Sequence, residues 1–375
     1  MFVFSYVSWE AAARRGWFAS EDRLARALVG HERVGRLLVC DLMRSLPMKL
    51  MRDRLTRGRV AFPASERSQL LQPVRLRRSS PTSRAGVERT GAVYDRALRR
   101  GVTRMGLDDP VAIVANPLVA GFCELSWARA VTFYAIDDWS AYPPHRHWWP
   151  AYRESYARIA ARGLRVAAVS DAVLERIGPT GPCKVIPNGL EPSEWLAPQG
   201  PPDWIARLGR PLLLYAGTLD ARLDVEALLA IARARPEATV ALVGPLLDPQ
   251  HLAPLREARN IEIRPPLGRE SLAGLIRTAD LGLIPHIGSP LTRAMSPLKL
   301  YEYLAAGLPV LAADLPPLRD VAPTRVTLVA EGADYAAAVR QALAKGRASE
   351  AERIDFVQRN SWRTRHEQLL DLALA

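Results

Sequence analysis

The order of strand-like and helical segments constrains the fold of this chain more than any other feature, because the same alternation occurs twice. A first series of short apolar segments and helices ends before Glu191–Pro211, a stretch rich in Pro and Gly, and a second series begins at Leu212. Strands that alternate with helices form parallel sheets with right-handed crossovers. The sequence therefore predicts an α/β protein, and its 375 residues suit two domains joined by a linker.

The first series contains five strand-like segments and one well-marked helix. Ser20 is a suitable N-cap for a helix over Ser20–Leu28, which has two acidic residues in its first turn and apolar residues at helical spacing. Pro63–Thr90 contains many Ser, Pro and Arg residues without periodicity, and is predicted to be a long loop. The predicted strands are Phe2–Val7, Arg36–Cys40, Val111–Ala115, Ala130–Ile136 and Val166–Ser170.

The second series is more regular. Its predicted strands are Leu212–Ala216, Thr239–Val243, Ile261–Arg264, Leu281–Pro285 and Pro309–Ala312. Its predicted helices are Val225–Ala234, Ser271–Ala279, Pro297–Ala306 and a terminal amphipathic helix over Ala351–Ala375.

Positive charge is concentrated between Arg44 and Arg104, a segment with 16 Lys and Arg residues but only 4 Asp and Glu residues. The rest of the chain has 35 basic and 35 acidic residues, so its formal net charge is zero. A segment with this charge can meet an anionic membrane surface or an anionic acceptor, or it can be a solvated surface. Nucleic acid is not expected, because aromatic residues are not interleaved with the basic ones in a stacking pattern.

The composition predicts a cytoplasmic protein, with the inner face of a membrane as a second location. Cys40, Cys123 and Cys183 lie far apart without metal-ligand spacing, which is typical of reduced thiols that pack as small apolar groups. The first residues lack the pattern of a secretory signal, and no apolar run approaches the ~18 residues of a membrane span.

The segment Ser296–Ala312 is the strongest candidate for a ligand site. Ser296 is a suitable N-cap, Pro297 suits the first helical position, and the free N–H groups of a helix N-terminus can bind phosphate. Lys299 adds a cation in the first turn, and the carboxylate of Glu302 lies three residues on, where it could accept hydrogen bonds from a ribose. The alternative is an ordinary amphipathic helix with a solvent-facing Lys and Glu.

Several segments resemble the GT-B glycosyltransferases, in particular glycosyltransferase family 4 and its group 1 relatives. SPLKLYEYLAAGLPVLA (296–312) and ADLGLIPH (279–286) are similar to the donor-site signature of that family. VIPNGLE (185–191), LLLYAGTLDARLDVEALL (212–229), ALVGP (241–245) and NSWRTRHEQLL (360–370) resemble further segments. The resemblance is close to a branch with teichuronic-acid and exopolysaccharide transferases, and it covers the chain from about Val166 to its end.

The resemblance implies a GT-B fold, in which two Rossmann-like domains have parallel sheets facing a central cleft and the C-terminal helix crosses back to the N-domain. The implied acceptor-side domain is 1–192, joined by 355–375, and the implied donor-binding domain is 193–354. In the family, two glutamates frame the donor: Glu302 matches the second, which holds the ribose, whereas Ala294 occupies the position of the first. The family's Arg and Lys after the glycine turn are replaced by Thr218 and Leu223, and Arg222 is the nearby cation that could substitute.

The sites implied by the resemblance and by the residues lie in both domains. On the acceptor side, Asp137 or Asp138 could orient the acceptor hydroxyl or act as a base, or one of them could cap the next turn. The two histidines of His145–Trp149 are a poor metal site, so packing or an aromatic acceptor-side wall is expected there. The donor-binding candidates are Gly217, Thr218, Arg222, Arg264, Thr292, Met295, Ser296, Leu298, Lys299 and Glu302, and the acceptor-side candidates are Ser8, Trp9, Trp139 and Tyr142, with Trp148 and Trp149 in the wall.

The function implied is transfer of a hexosyl unit from a UDP- or GDP-linked sugar to a sugar, lipid-linked or small-molecule acceptor, in polysaccharide, glycoconjugate or natural-product biosynthesis. Retention of the anomeric configuration is expected rather than inversion, with neither a metal nor another cofactor. Cations and backbone N–H groups would stabilise the leaving diphosphate. Two alternatives remain open: a nucleotide-sugar epimerase or hydrolase of the same fold, and a non-catalytic GT-B-like binding protein.

Overall fold

The protein divides into two compact units, seen in a computed structural model that describes residues 1–47, 60–76, 79–196, 200–319, 321, 324–330 and 332–375. Unit 1 comprises Met1–Pro187 and Arg365–Ala375, and unit 2 comprises Asn188–Thr364. The domain boundaries predicted at 192/193 and at 354/355 fall inside unit 2, close to its two ends. No helix among the described residues is long and apolar enough to cross a bilayer.

Among the described residues of unit 1, seven strands form one parallel sheet in the order β4-β2-β1-β6-β7-β8-β9. The interior strand β1 is short and completely buried, because helices cover a parallel sheet on both of its faces. Strands β3 and β5 pair with each other in a separate ribbon. The strands are β1 (Phe2–Val3), β2 (Leu37–Cys40), β3 (Arg44–Ser45), β4 (Ser68–Leu71), β5 (Val74–Arg75), β6 (Val111–Val114), β7 (Ala130–Ala135), β8 (Arg165–Ala168) and β9 (Cys183–Val185).

Two sequence predictions for unit 1 are wrong. The predicted loop over Pro63–Thr90 contains β4 and β5, because Ser68–Leu71 pairs in parallel with Leu37–Cys40 and needs no amphipathic pattern of its own. Ser20 is not an N-cap: it is the first residue of its helix, and Ala19 precedes it. The helices are α1 (Trp9–Arg14), α2 (Ser20–Leu28), α3 (Arg84–Arg104), α4 (Pro117–Phe122), α5 (Trp149–Ala161) and α6 (Asp171–Ile177).

Unit 2 contains a second parallel sheet, whose described strands have the order β12-β11-β10-β13-β14-β15. The strand Leu212–Ala216 is buried at all five positions and lies between two hydrophobic clusters, one on each face of the sheet. Three predicted strands have the bounds that the structure shows, and two differ by one residue. The strands are β10 (Leu212–Ala216), β11 (Thr239–Val243), β12 (Ile261–Arg264), β13 (Leu281–Ile284), β14 (Val310–Ala313) and β15 (Val326–Val329).

The end of the chain contains two helices rather than the single helix predicted over Ala351–Ala375, because the chain leaves the helical conformation at Asn360 and Ser361. There the backbone pairs with Leu190. The final helix begins in unit 2 and ends in unit 1, as predicted for a returning C-terminal helix. The helices are α7 (Pro192–Leu196), α8 (Val225–Ala234), α9 (Arg269–Thr278), α10 (Leu298–Ala305), α11 (Pro316–Arg319), α12 (Tyr335–Ala344), α13 (Glu350–Arg359) and α14 (Trp362–Leu374).

The parallel topology brings the ends of distant segments to one edge of each sheet. In unit 2 the segments that follow β10, β11 and β13 begin with Gly217, Gly244 and Pro285, and they leave the sheet at its carboxyl edge. Ligands of open parallel sheets bind outside this edge. The candidate donor residues of unit 2 therefore start from the edge at which a ligand is expected.

Candidate functional site

Two glycines at the carboxyl edge of unit 2, Gly217 and Gly244, leave the backbone there without side chains. Gly217 has φ 151° and Gly244 has φ 157°, a range that favours glycine. A Cβ on Gly244 would lie 1.9 Å from the carbonyl oxygen of Gly217, and a Cβ on Gly217 would lie 3.0 Å from Cε of Lys299. No other residue fits at Gly244, and the predicted donor residue Gly217 lies directly against the predicted cation.

Lys299 lies at this edge in contact with the side chains of Tyr215 and His286. Its Nζ is 4.8 Å from the ring centroid of Tyr215 and 3.4 Å from Nε2 of His286. Tyr215 donates a hydrogen bond from its hydroxyl to the carbonyl of Thr218. The half-buried ammonium of Lys299 is thus held by an aromatic face and an imidazole rather than by a carboxylate.

The surroundings of Lys299 disfavour its charge. Burial lowers the pKa of Lys299 to about 7, and the nearby cation Arg222 acts in the same direction. Burial also lowers the pKa of His286 well below its usual value, with the charges of Lys299 and Arg222 adding to the effect. An anion bound beside Lys299 would supply the missing countercharge and would draw a proton onto the amine.

Arg222, the cation expected to replace the family's basic residues, is held by an intrachain pair. It forms two parallel hydrogen bonds with Asp220, from Nε to Oδ1 at 2.9 Å and from the guanidinium NH2 to Oδ2 at 2.9 Å. The backbone of this turn is joined to the segment after β13, since Ile287 donates to the carbonyl of Arg222. Arg222 therefore contributes a charge near Lys299, but its guanidinium is already paired.

Helix α10, predicted over Pro297–Ala306, begins one residue later than predicted. Leu298 is its first residue and Pro297 precedes it, so Ser296 is not the N-cap. The Ser296 hydroxyl instead accepts a hydrogen bond from the backbone N–H of Asn188, whose side-chain amide donates to the Ser296 carbonyl. These bonds fix the entry to the helix, and Tyr303 holds its body, because the Tyr303 hydroxyl accepts from the Ala216 N–H at 2.8 Å.

Glu302 belongs to a buried charge network that sequence reasoning missed. The guanidinium of Arg269 donates to Oε1 of Glu302 and, through Nε and NH2, to Oε2 of Glu194 at 3.1 and 2.6 Å. The side chain of Glu302 is 4% exposed, and that of Arg269 is 16% exposed. Burial opposes the charge on Arg269, but the two carboxylates outweigh it and hold the pKa of Arg269 above its usual value.

The remaining donor candidates between β13 and α10 form a compact turn. Thr292 is 1% exposed, and its hydroxyl accepts from the Ser289 N–H and donates to the Ile287 carbonyl. Met295 and Leu298 are half-buried at the start of helix α10. The hydroxyl of Thr292 is thus used within the turn, and its contact with a donor stays a prediction.

Arg264 lies apart from Lys299, at the end of β12. Its guanidinium pairs with Glu262 at 2.7 Å and stacks over the ring of Trp204 at 5.0 Å. It lines an open cavity of about 570 Å³ together with Gly244 and Arg256. The cavity reaches Gly244, the glycine that contacts Gly217, so Arg264 borders the same carboxyl edge as the lysine.

In unit 1, the two adjacent carboxylates after β7 have structural partners. Asp138 is fully buried, and its Oδ1 accepts hydrogen bonds from the Ser140 N–H at 3.0 Å and from the Ser140 hydroxyl at 2.6 Å. Its other oxygen lies 3.5 Å from Nε of Arg176. Asp137 accepts from the backbone N–H of Asp138. Asp138 therefore caps the following turn, one of the two roles that the sequence left open.

The other acceptor-side candidates are largely buried. Ser8 is the N-cap of α1, and Trp9 packs its ring between Trp17 and Phe62. Trp139 is 9% exposed, and its ring contacts that of Tyr142 at a centroid distance of 5.6 Å. Ser8 and Trp9 have structural roles, which leaves the half-buried Tyr142 as the more accessible of the predicted aromatic residues.

A hydrogen-bonded chain of aromatic side chains adjoins these residues and was not predicted. The hydroxyls of Tyr6 and Tyr152 lie 2.6 Å apart, and Nδ1 of His145 lies 3.0 Å from the Tyr152 hydroxyl. The imidazole of His145 stacks on Trp139, and burial lowers its pKa. His145 thus packs in the aromatic cluster, as expected, and the described residues contain no group of three or more His, Cys, Asp or Glu side chains placed to hold a metal.

The site residues that were not predicted from the sequence are the interaction partners of predicted site residues. Tyr215, His286 and Tyr303 lie within the recognised segments, but their roles depend on which side chains the fold brings together. Arg269 is 33 residues from Glu302 and 75 residues from Glu194 along the chain. A single sequence gives no sign that these side chains meet.

Part of the chain is similar to a known family. Residues 210–345 match the family described as glycosyl transferases, group 1, a range that includes Gly217, Lys299 and Glu302. TuaH of Bacillus subtilis (strain 168), whose name describes a glycosyltransferase of teichuronic acid biosynthesis, is 30% identical over 135 residues. That match covers 35% of this chain and 34% of TuaH, so it spans about a third of the relative's length.

Solved structures with the same fold match the whole chain. The sucrose-phosphate synthase of Thermosynechococcus elongatus is 16% identical, with a TM-score of 0.71, and covers 99% of this chain and 97% of its own. An α,α-trehalose 6-phosphate synthase of Burkholderia multivorans is 13% identical, with a TM-score of 0.66, and covers 100% and 98%. The prediction of a GT-B fold is confirmed. Residues 210–345 are thus similar to the group 1 glycosyl transferases, and the chain as a whole has the GT-B fold.

Proposed function

We propose that the protein transfers a sugar from a nucleotide-diphosphate sugar to an acceptor in the biosynthesis of a polysaccharide, a glycoconjugate or a natural product. The observation that carries the proposal is the amine of Lys299, which lies beside the bare backbone of Gly217 at the carboxyl edge of unit 2. An amine whose pKa is lowered to about 7 gains its charge when an anion binds beside it. The group 1 match and the name of TuaH support the same class of reaction.

The leaving group determines what the donor site has to provide. When the bond between the anomeric carbon and the diphosphate oxygen breaks, negative charge develops on the diphosphate. A preorganised cation at that position stabilises the transition state more than the bound donor. In our proposal Lys299 provides this charge, Arg222 adds to it from its pair with Asp220, and a UDP- or GDP-linked hexose is the donor.

We assign the acceptor to unit 1, with Tyr142 among the residues beside it. The sequence considered Asp137 or Asp138 as a base. Oδ1 of Asp138 is held by Ser140, and its Oδ2 is buried 3.5 Å from Nε of Arg176 without a hydrogen bond. In our proposal the acceptor hydroxyl instead passes its proton to the departing diphosphate, on the same face of the sugar. This supports retention of the anomeric configuration.

Screening nucleotide sugars tests the proposed activity directly. We expect the unfolding temperature to rise with UDP- or GDP-sugars, because a ligand that binds only the folded state stabilises it by mass action. We expect no rise in a Lys299→Met variant. The competing nucleotide-sugar epimerase or hydrolase would convert the donor without an acceptor, and a non-catalytic protein would bind the donor without converting it. Either outcome in a matched acceptor screen would contradict the proposed transfer.

The basic segment supports a location at an anionic membrane surface. Residues 48–59 and 77–78 lie outside the described residues, but helix α3 presents Arg89, Arg96, Arg99, Arg100 and Arg104 as exposed side chains. The two carboxylates of this helix are engaged at its sides. Glu88 pairs with Arg158, and Asp95 accepts from the Leu125 N–H. The exposed face of α3 is therefore positive along its length.

Vesicle binding tests this location. We expect the protein to sediment with vesicles that contain phosphatidylglycerol, and not with phosphatidylcholine alone, and to dissociate at high salt because exposed charges are screened. An Arg96→Gln, Arg99→Gln, Arg100→Gln variant should bind at least tenfold more weakly, at ~1 kcal/mol per arginine. The matched control replaces Arg233, Arg259 and Arg340, three exposed arginines of unit 2, with Gln. Equal binding by both triple variants would exclude α3 as the membrane-binding face.

A further inference from the structure

A small apolar cavity lies in unit 1 at the carboxyl edge of its sheet. Its volume is about 80 Å³. Leu42 and Met43 line it shortly after β2 ends, and Asn116 lines it just beyond β6. Pockets that hold a whole small molecule are typically ~300–1,000 Å³, so this cavity can take only one part of a ligand.

One lining residue, Arg75, has a charge without a counterion. It is half-buried at the end of β5, and its Nε is buried without a hydrogen-bond partner among the described residues. Burial lowers the pKa of Arg75. None of the described residues that line the cavity is an Asp or a Glu. An anion beside Arg75 would stabilise the charge of this partly desolvated guanidinium.

Apart from the exposed Ser80, the hydroxyl and amide side chains of the described cavity wall have hydrogen-bond partners, and that of Tyr6 is the Tyr152 hydroxyl. Tyr94 donates to the Asp41 carbonyl, and Thr90 donates to the Gly86 carbonyl. Asn116 donates to the Ser5 carbonyl and accepts from the Val119 N–H. Arg75 is therefore the buried polar group of the described wall that remains open to a ligand. Beside it the wall is apolar, and includes Leu42, Met43, Val87, Leu118, Val119 and Trp148.

We propose that this cavity is a subsite for an acceptor that carries an anionic group, a phosphate or a carboxylate, next to a short apolar segment. The anion pairs with Arg75, and the apolar segment fills the cavity beside Leu118 and Val119. Only the description of the ligand as the acceptor rests on the proposed function, and binding at the cavity can be measured without any transfer reaction.

Hexyl phosphate is a suitable probe, because it joins the two chemical features that the cavity requires. In calorimetry, it should bind at least tenfold more tightly than inorganic phosphate, which lacks the chain, and than glucose 6-phosphate, whose body is polar. Arg75→Gln should weaken hexyl phosphate binding at least tenfold and leave hexanol binding unchanged. Arg129→Gln, which neutralises an exposed arginine of the same unit, should change neither.

A second variant tests the apolar half of the proposal. Leu118→Trp should fill the cavity while leaving Arg75 in place, and hexyl phosphate should then bind no better than inorganic phosphate. Equal affinity for hexyl phosphate in the wild-type protein and in Arg75→Gln would overturn the proposal, as would tighter binding of glucose 6-phosphate. Nucleotide diphosphate binding, measured on the same samples, separates the two ideas. Nucleotide binding without hexyl phosphate binding overturns this inference alone, and the reverse result overturns the proposed function alone.

Discussion

Replacement of Lys299 by Met should lower kcat/KM for sugar transfer by roughly 100- to 1,000-fold, the usual cost of removing one preorganised group that stabilises charge in a transition state. The Nζ atom lies over Tyr215 and beside His286, where an anion at Gly217 would be its closest countercharge. Methionine keeps an unbranched side chain that is one atom shorter, and it removes the charge and the N–H donors. The matched control is Lys184→Met, which neutralises an exposed lysine of unit 1.

The same substitution should not destabilise the fold, which separates a catalytic loss from misfolding. The pKa of Lys299 is about 7 in the folded protein and 10.5 when unperturbed. Between these values the unfolded state binds more protons than the folded state, so the free energy of unfolding rises with pH. Below about pH 7 the folded protein carries the full cost of the buried charge. Lys299→Met removes this cost, so its unfolding free energy at pH 6 should equal or exceed that of the wild type.

The pH dependence of donor binding provides an independent check on Lys299. A diphosphate raises the pKa of the amine, so binding takes up a proton at neutral pH. The affinity should then fall as the pH rises above about 7. Calorimetry in buffers of different ionisation enthalpy measures this uptake directly. If Lys299→Met showed the same proton uptake and the same kcat/KM as the wild type, Lys299 would not be the diphosphate ligand.

The fold of unit 2 could be predicted closely because buried parallel strands are continuous apolar runs. Leu212–Ala216, Thr239–Val243 and Ile261–Arg264 have the predicted bounds. In unit 1 the strand Ser68–Leu71 was missed, because its polar start gives no alternating pattern and its position depends on pairing with Leu37–Cys40. Tertiary pairing decided this element, and a single sequence does not show pairing.

The site was predictable in part for a similar reason. Gly217 and Lys299 could be chosen from the sequence, because a glycine turn and a cation near a helix start are local features. The partners of Glu302 could not be chosen, because Arg269 and Glu194 reach it from two other helices. The family's cations are absent at Thr218 and Leu223, and Arg222, named from the sequence as the cation that could substitute, lies near enough to Lys299 for its charge to lower the pKa of the lysine.

Loss of Arg269 should have the largest effect on stability. Arg269→Met leaves the carboxylates of Glu194 and Glu302 buried without their shared cation, and we expect the free energy of unfolding to fall by about 3–5 kcal/mol. The reason is the missing countercharge rather than the lost contact, since the Glu302 side chain is only 4% exposed. Arg277→Met, a change on the same helix α9 outside the network, is the matched control and should cost much less. Urea unfolding measures both.

Neutralising the whole network distinguishes its structural role from the ribose contact assigned to Glu302. In Glu194→Gln, Arg269→Met, Glu302→Gln no charge remains to be compensated, so most of the lost stability should return. Donor binding should stay impaired, because a carboxylate accepts hydrogen bonds from both ribose hydroxyls and an amide does so less well. The wild type should prefer a nucleoside diphosphate over its 2′,3′-dideoxy analogue, and the triple variant should not. A wild type that binds the two equally would show that Glu302 serves only the buried network.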